Sequence, residues 1–362
     1  MLVVIRADAS QTIGSGHIMR CLTLADRLRL QGANISFVCR DFPGNLSEYI
    51  RSRGFEVYLL PSNEATKPIF NYPEQVWLGT TWESDANQTM GALKRYGRTI
   101  DWLIVDQYGI DYRWQSSLRT KVNKIMVIDD LANRRHDCDV LLDQNYYHYM
   151  EERYQGLVPK GCSIFLGPRY LLLREEFYRA RKNMRVRTGK VSNLLVFYGG
   201  ADTTNETEKC LKTISECVNS RIKINVVTGQ SNPRKERIRE LCSLRPNINY
   251  HCQVSNISEM MNIADLAFGA GGATTWERCF LGLPSIVTVT AENQMETTQA
   301  VADLGAIWNL GWYEKVNTVM LNEVIEGFLI EPSKIVEMQI KALDVLEVRD
   351  ASGIEQLIKG IS

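Results

Sequence analysis

The chain alternates between short apolar segments, typical of β-strands, and amphipathic segments, typical of helices, and this series runs twice. The strand-like segments of the first series are Leu2–Ala7, Ile35–Arg40, Phe55–Leu60, Trp102–Asp106, Lys124–Asp129 and Val140–Asp143. Those of the second series are Leu194–Tyr198, Ile224–Thr228, Ile248–His251, Leu266–Gly269, Ser285–Val289 and Ile307–Leu310. Strands that alternate with helices predict a parallel sheet with crossover helices. Two such series in 362 residues predict two α/β domains.

The stretch between the two series predicts where the first domain ends. Gly167-Pro168 interrupts the pattern, and a basic helical run with a solvated face, Arg174–Arg187, follows it. We expect an N-terminal Rossmann-like domain over residues 1–170, a linker over 171–190, a C-terminal Rossmann-like domain over 191–340 and, over 341–362, a C-terminal helix that packs back on the first domain. Open parallel sheets bind ligands beyond the carboxyl ends of their strands. The expected site is the cleft across which the two domains face each other.

Composition argues against several classes of function. Lys plus Arg and Asp plus Glu each number 42, so no net charge draws the chain to nucleic acid or to an anionic membrane. The nine cysteines include no C-x-x-C pair, which favours a reducing compartment over a disulfide framework or a cysteine-rich zinc site. The chain enters its first strand-like stretch at once and has no apolar run of about 18 residues. We therefore expect a cytoplasmic protein without nucleic-acid or membrane partners.

A short glycine-rich loop joins the first strand to the first helix. Gly14 and Gly16 flank Ser15, and His17 follows at the expected helix start. Glycines let a ligand approach the backbone, and the N–H groups of a helix start favour a phosphate or a developing anion. A histidine there tends to stay neutral and can accept a proton, as a general base must. His17 as a helix cap explains the pattern equally well, and the residues alone leave both interpretations open.

The densest signal lies where the fourth strand of the second series meets its helix. Gly271 and Gly272 lead into Thr274 and Thr275, which open the helix, and Glu277 lies one turn inside it. Glycine amides and threonine hydroxyls can wrap a diphosphate without a net positive charge. A carboxylate at Glu277 can accept hydrogen bonds from a ribose diol. The alternative is a tight strand–helix turn with Thr275 as its N-cap; the number of glycines favours ligand binding.

Two weaker signals are expected at the same edge of the second sheet. Asn293 and Gln294 follow the next strand, and their amides could read a base or a sugar substituent, although Asn293 also fits a helix N-cap. Gly199 and Gly200 follow the first strand of the second series. Because parallel strands end at one edge, these residues are predicted to lie beside the diphosphate-binding turn.

Taken in order, the motifs resemble the PseG family of UDP-2,4-diacetamido-2,4,6-trideoxy-β-L-altropyranose hydrolases, which act in pseudaminic acid biosynthesis. The resemblance begins with Arg6-Ala7-Asp8 and Gly14–Leu22 and continues over nearly the whole chain. Its further segments are Trp77–Gly79, Asp85–Thr89, Val105-Asp106, Ile128–Ala132, Leu141–Asn145, Leu166–Tyr170, Gly199–Asp202 and Gly269–Arg278. The family is similar in fold to the MurG-type GT-B glycosyltransferases, which implies the two-domain cleft inferred above.

The resemblance implies the reaction. His17 would activate a water molecule that attacks the anomeric carbon with inversion and releases UDP and 2,4-diacetamido-2,4,6-trideoxy-L-altrose. No metal or cofactor is implied, because helix-terminal amides would stabilise the leaving group. A GT-B glycosyltransferase with a UDP-sugar donor stays open, because water and a sugar hydroxyl require the same base. A non-catalytic nucleotide-sugar-binding protein stays open as well, as does the destination of the sugar, flagellin or a surface polysaccharide.

The resemblance also implies which residues bind the UDP-sugar. Glu277, Asn293 and Gln294 would hold the uridine, and the turn Gly271–Thr275 would hold the diphosphate. The remaining residues expected to contact the diphosphate or the sugar are Gly14, Gly16, Arg6, Asp8, Asp106, Tyr108, Gly199 and Gly200.

Overall fold

The computed structural model of the chain describes residues 1–62, 73–346 and 352–361, which divide into two units. The first unit contains the described residues of Met1–Asn145 and Tyr149–Leu172 together with the last helix. The second unit contains Tyr146–His148 and residues 173–346. Each unit has one parallel sheet, as the repeated alternation of strands and helices predicts.

The first unit is built on a seven-stranded sheet in the order β3-β2-β1-β4-β5-β6-β7. Its strands are β1 (Leu2–Ala7), β2 (Asn34–Arg40), β3 (Glu56–Leu60), β4 (Ile100–Asp106), β5 (Val122–Ile128), β6 (Val140–Asp143) and β7 (Ser163–Leu166). Its helices before the boundary are α1 (Gly16–Leu30), α2 (Ser47–Ser52), α3 (Trp82–Lys94) and α4 (Tyr112–Leu118), with 3-10 helices at Pro73–Leu78, Met150–Glu152 and Pro168–Tyr170. Alternate residues of a strand enter different cores: Val3 packs with α1, whereas Val4 packs with α3 and α4.

The second unit is built on a six-stranded sheet in the order β10-β9-β8-β11-β12-β13. Its strands are β8 (Asn193–Phe197), β9 (Lys223–Thr228), β10 (Ile248–Cys252), β11 (Leu266–Ala270), β12 (Ser285–Val289) and β13 (Trp308–Trp312). Its helices are α5 (Glu175–Lys182), α6 (Glu206–Cys217), α7 (Lys235–Ser243), α8 (Ile257–Ile263), α9 (Ala273–Phe280), α10 (Met295–Asp303), α11 (Thr318–Ile330) and α12 (Pro332–Asp344), with a 3-10 helix at Glu292–Gln294. No helix among the described residues of either unit has the length and apolar character to cross a bilayer.

The last helix, α13 (Ser352–Ile361), belongs to the first unit although it follows the second in sequence. Its apolar side chains Leu357 and Ile358 are buried in the core that also holds α1. Gly353 lies against the 3-10 helix Pro168–Tyr170, where an added Cβ would collide with the carbonyl oxygen of Arg169. A side chain at this position would therefore separate α13 from the unit.

All twelve predicted strands are confirmed, with ends that agree within two residues. β7 was missed. It lies at the edge of the sheet and its first two residues, Ser163 and Ile164, are exposed, so it lacks the continuous buried run that marks the other strands. Edge strands need only one paired neighbour and one covered face.

The predicted linker over residues 171–190 is corrected, because most of it is part of the second unit. Phe177 of α5 is fully buried there. Arg187, which the basic run placed on a solvated helix face, is also buried. It donates to backbone carbonyls at the carboxyl ends of α8 and α9. A cation at two helix carboxyl ends is favourable, so the segment is held in place.

Each sheet has one point where its strand order reverses, between β1 and β4 in the first unit and between β8 and β11 in the second. Chain connections leave these neighbouring strands in opposite directions, which opens a crevice at their carboxyl ends. In the first unit, His17 comes after β1 and Asp106 is the last residue of β4. In the second unit, the glycine-rich segment follows β11. The fold therefore places the predicted residues at the two positions where such sheets bind ligands.

Candidate active site

His17 lies in the first turn of α1, just beyond the carboxyl end of β1. Among the described residues, no side chain caps this helix start. A Cβ added at Gly14 or Gly16 would meet no described atom within 4 Å, so there is open space beside the loop. Gly14 also has a φ of +80°, a left-handed conformation that favours glycine. A ligand can therefore approach the helix start, while His17 itself is only 8% exposed.

A buried carboxylate orients the His17 ring. Asp106 ends β4, and its Oδ1 lies 2.6 Å from His17 Nδ1. Burial alone would raise the pKa of Asp106, but Arg20 and His17 hold it well below the usual range of a carboxyl. Since an ionised carboxylate can only accept, Nδ1 donates to Asp106, and in a neutral ring Nε2 is then the acceptor. This is the tautomer that a general base requires.

Arg20 joins Asp106 to a second acid. It lies one helical turn after His17 and donates to both oxygens of Asp106, at 2.6 and 2.7 Å, and to Asp130 at 3.1 Å. Asp106 is 0% exposed, and the donors of His17 and Arg20 occupy its oxygens. The expectation that it contacts the ligand is therefore corrected: Asp106 is the hydrogen-bond partner of His17. Sequence reasoning missed Arg20, although the i+3 spacing from His17 places both on one helix face.

Two aromatic rings lie at or near His17. The Tyr108 ring meets the His17 ring edge-on at a centroid distance of 4.6 Å, and Trp77 stacks on Tyr108 at 5.3 Å. The Tyr108 hydroxyl donates to Asp130, and burial together with this carboxylate raises the pKa of the phenol well above its usual value. Aromatic faces of this kind can pack against the apolar face of a sugar. A sugar contact of Tyr108 stays a prediction.

Arg6 and Asp8, expected to contact the diphosphate or the sugar, lie inside the first unit. They are 0% and 1% exposed, and Arg6 donates to Asp8 at 2.6 Å and to Asp85 at 2.7 Å. Asp8 also accepts from Gln107, whose amide donates to the backbone carbonyl of Trp77 at 3.0 Å. Their role is therefore corrected: this buried network positions the segment that carries an aromatic ring beside the base.

In the second unit, the chain passes from β11 into α9 through residues 269–275, the glycine turn. A Cβ on Gly269 would lie 2.5 Å from Nη1 of Arg278, and one on Gly271 would lie 2.7 Å from Oγ1 of Thr298. Gly272 has a φ of +87°. Packing and conformation thus account for all three glycines. No side chain of the described residues caps α9. The Thr275 N–H donates to the Gly272 carbonyl at 2.9 Å, whereas the N–H groups of Ala273 and Thr274, which precede it in the helix, can bind an anion.

Glu277 lies inside α9, one turn after the glycine turn. Its side chain is 15% exposed, and Arg174 donates to its Oε1 at 3.1 Å while also pairing with Glu176 at 2.6 Å. Burial raises the pKa of Glu277, and the Arg174 guanidinium opposes this rise. Arg174 therefore holds one oxygen of the carboxylate, and the other can accept from a ribose hydroxyl. The uridine contact of Glu277 stays a prediction.

Gln294 lies against the glycine turn. Its Oε1 accepts from the Thr290 N–H at 3.0 Å, and its Nε2 is 3.6 Å from where a Cβ of Gly272 would stand. Asn293 is exposed in the neighbouring 3-10 helix. The uridine contact of Asn293 and of Gln294 stays a prediction. The Gln294 amide lies where it could also donate to a phosphate or sugar oxygen.

The start of α6 is occupied by a protein carboxylate. Asp202 accepts from the first two N–H groups of the helix, both at 2.9 Å. Gly200 is approached by another backbone, since a Cβ on Gly229 would lie 2.6 Å from its Cα. These contacts explain the glycine at position 200 by close packing. A ligand contact of Gly199 and Gly200 stays a prediction.

Two Rossmann-like units, each with an uncapped helix start at its strand-order reversal, define the chain as a protein of the GT-B fold. Solved structures agree. MurG of Acinetobacter baumannii has a TM-score of 0.66 at 15% identity, with 99% of both chains covered. UGT89C1 of Arabidopsis thaliana, complexed with UDP-L-rhamnose, has a TM-score of 0.68 at 12% identity, with 99% of this chain and 98% of that chain covered.

Sequence comparison narrows the class. Residues 193–357 match the Glycosyltransferase family 28 C-terminal domain. The chain is 29% identical to the UDP-2,4-diacetamido-2,4,6-trideoxy-β-L-altropyranose hydrolase of Campylobacter jejuni over 306 residues, which are 84% of this chain and 97% of that protein. These similarities confirm the resemblance of the chain to the PseG family.

Proposed function

We propose that the chain hydrolyses UDP-2,4-diacetamido-2,4,6-trideoxy-β-L-altropyranose to UDP and 2,4-diacetamido-2,4,6-trideoxy-L-altrose, as a step of pseudaminic acid biosynthesis. The observation that carries the reaction type is the His17–Asp106 pair at the open start of α1. The similarity to the Campylobacter jejuni hydrolase supports the substrate.

The proposed step begins with a water molecule next to Nε2 of His17. Nε2 takes a proton from this water while the water oxygen bonds to the anomeric carbon of the sugar. The bond between that carbon and the diphosphate oxygen breaks, and UDP leaves with the bonding electron pair. Asp106 stabilises the imidazolium that forms, and attack opposite the leaving group inverts the anomeric centre. His17 then returns its proton to solvent.

The leaving diphosphate would bind at the glycine turn. The amides of the first turn of α9 supply fixed donors where negative charge grows, and such donors lower the barrier without having to reorganise. Gln294 offers an additional amide donor, and Glu277 would accept from the ribose. We expect no metal requirement, so a chelator should leave the rate unchanged.

The direct test is incubation of the purified chain with this UDP-sugar in water enriched in oxygen-18. We expect UDP without the label, because the bond at carbon breaks, and an inverted sugar seen by proton NMR before its anomers equilibrate. Labelled UDP would show attack at phosphorus and refute the mechanism. His17→Ala should lose turnover and still bind UDP; substantial remaining activity would sink the base assignment.

A glycosyltransferase is the second candidate, favoured by the match of residues 193–357 to a glycosyltransferase domain. A transferase would use the same base to deprotonate a sugar hydroxyl in place of water. Release of UDP in the absence of any acceptor separates the two. Hydrolysis at a rate that an added acceptor does not increase supports the hydrolase, and strict dependence on an acceptor supports the transferase.

A further inference from the structure

Arg278 is a buried cation that lies under the glycine turn. The residue is 1% exposed. Its Nη2 donates to the Ala270 carbonyl at 2.8 Å and to Oγ1 of Thr275 at 3.1 Å, and its Nη1 donates to Oγ1 of Thr274 at 3.2 Å. Its Nε is buried without a partner among the described residues. Every hydrogen-bond partner that the described residues offer to Arg278 is therefore neutral. Glu277 acts on Arg278 electrostatically, but its carboxylate is held by Arg174.

Two other buried arginines have more favourable surroundings. Arg6 forms ion pairs with Asp8 and Asp85. Arg187 lies at the carboxyl ends of two helices, where the peptide dipoles favour a cation. Arg278 belongs to the last turn of α9, but its guanidinium reaches back to Thr274 and Thr275 in the first turn, where the dipole disfavours a positive charge.

This placement is unfavourable in the free protein. A buried charge that no carboxylate contacts directly costs several kcal/mol. Burial lowers the pKa of Arg278 to about 10, although the Glu277 carboxylate opposes this fall. The guanidinium is nevertheless charged near neutral pH. Gly269 keeps the space for it, because a side chain there would collide with Nη1. An anion bound at the glycine turn would supply the missing negative charge.

The hydroxyl of Thr274 connects the guanidinium to such an anion. An arginine can only donate, so Oγ1 of Thr274 must accept from Nη1. The hydroxyl proton of Thr274 then has to point elsewhere, and no described residue accepts it. Thr274 is partly exposed in the first turn of α9. Its hydroxyl can therefore donate outward, alongside the free N–H groups of the helix start.

We propose that Arg278 is a positioning residue of the diphosphate site: it orients the Thr274 hydroxyl as a donor and adds a positive charge that a bound diphosphate neutralises. The inference rests on the proposed function, because it assumes that UDP binds at the glycine turn. It extends that function by assigning the charge recognition to a residue that does not reach the surface.

Calorimetric titration of UDP and of uridine into the purified chain tests the proposal. Arg278→Met should weaken UDP binding by about tenfold or more, the effect of losing a charged hydrogen-bond donor, and should leave the affinity for uridine near that of wild type. Arg278→Lys, which keeps the charge, should recover part of the loss. Arg237→Met, which removes an exposed arginine from α7, is the matched control and should bind UDP as wild type does.

A second pair of variants covers the case in which Arg278→Met does not fold. Thr274→Val should lose UDP affinity with uridine affinity preserved, whereas Thr274→Ser should retain both. In the Arg278→Lys background, Thr274→Val should cost less than in wild type, because the two residues act through one hydrogen bond.

The outcomes separate this inference from the proposed function. Arg278→Met with wild-type affinity for UDP, or with equal losses for UDP and uridine, overturns the positioning role, whatever the hydrolase assay shows. If Arg278→Met does not fold, wild-type affinity of Thr274→Val for UDP overturns the positioning role in its place. A wild-type chain that binds UDP but hydrolyses no UDP-sugar refutes the function and leaves the anion site in place. A wild-type chain that binds no UDP refutes both.

Discussion

Replacing Asp106 by asparagine should remove the base function of His17. Asparagine has the same size, and its oxygen can still accept from Nε of Arg20, whereas Nη2 of Arg20, which donates to the oxygen that faces His17, would lose its acceptor. Its N–H2 group would take the place of Oδ1 of Asp106, which lies 2.6 Å from Nδ1 of His17. The N–H2 group would then donate to Nδ1. His17 would accept at Nδ1 and carry its proton on Nε2, which could no longer take a proton from water.

Two effects of different size follow from this change. The wrong histidine tautomer lowers kcat by roughly 10⁴-fold in the serine proteases where it has been isolated, so a loss of roughly 10³- to 10⁴-fold is expected here. The loss of folding stability is smaller than the loss of activity, because Arg20 keeps its ion pair with Asp130. We expect a drop of about 3 kcal/mol in the unfolding free energy, the lower end for a broken buried pair.

The assay combines UDP release, nitrogen-15 NMR of the His17 ring and urea unfolding. Asp265→Asn is the control, because Asp265 is a buried carboxylate of the second unit that accepts from Arg185 and from two backbone N–H groups. This variant should lose comparable stability while keeping kcat near the wild-type value. The reasoning is refuted if Asp106→Asn retains kcat within about tenfold of wild type, or if Asp265→Asn loses as much activity.

Three further outcomes are expected. Glu277→Ala should raise KM for the UDP-sugar with little change in kcat in steady-state assays, since its proposed partner is the ribose, and a pure loss of kcat would contradict that role. Arg187→Met should lower the unfolding free energy of the second unit by about 3 kcal/mol, because the carbonyls at two helix ends lose a charged donor; an unchanged urea midpoint would rule this out. The first unit should lose stability as the pH falls below about 4. Despite burial, arginine partners lower the pKa of Asp85, Asp106 and Asp129. Such carboxyls stabilise the fold while ionised and lose this contribution as protons bind at lower pH. Urea midpoints at about pH 7 and about pH 3 measure the loss, and equal midpoints would contradict it.

Local sequence was sufficient for the architecture because buried parallel strands are continuous apolar runs. β4 and β11 are covered on both faces, so nearly every residue of each is apolar and the strands stand out from their surroundings. The exposed edge strand β7 has no such run and was missed. The unit boundary was misplaced for a related reason: the basic composition of the segment that carries Arg187 is typical of a solvated helix, and only tertiary contacts bury it.

The catalytic candidate followed from sequence because a glycine loop before a helix start is a local feature. His17, the glycine turn and Glu277 were all found in this way. Their partners were not, because Asp106 lies 89 residues from His17 in the chain and becomes its neighbour only when β4 pairs with β1. Sequence likewise assigned Arg6 and Asp8 to the ligand, since a charged residue at a strand end gives no sign of whether it faces inward.

The amino-acid sequence alone therefore determined the two sheets and the helix starts that follow their strands, and it predicted the candidate base of the first unit, because all three depend on short-range pattern. Tertiary structure decided which charges compensate one another. It paired Arg6 with two buried acids and left Arg278 with neutral partners beneath the glycine turn. Electrostatic roles depend on distance and burial, and the order of residues along the chain contains neither.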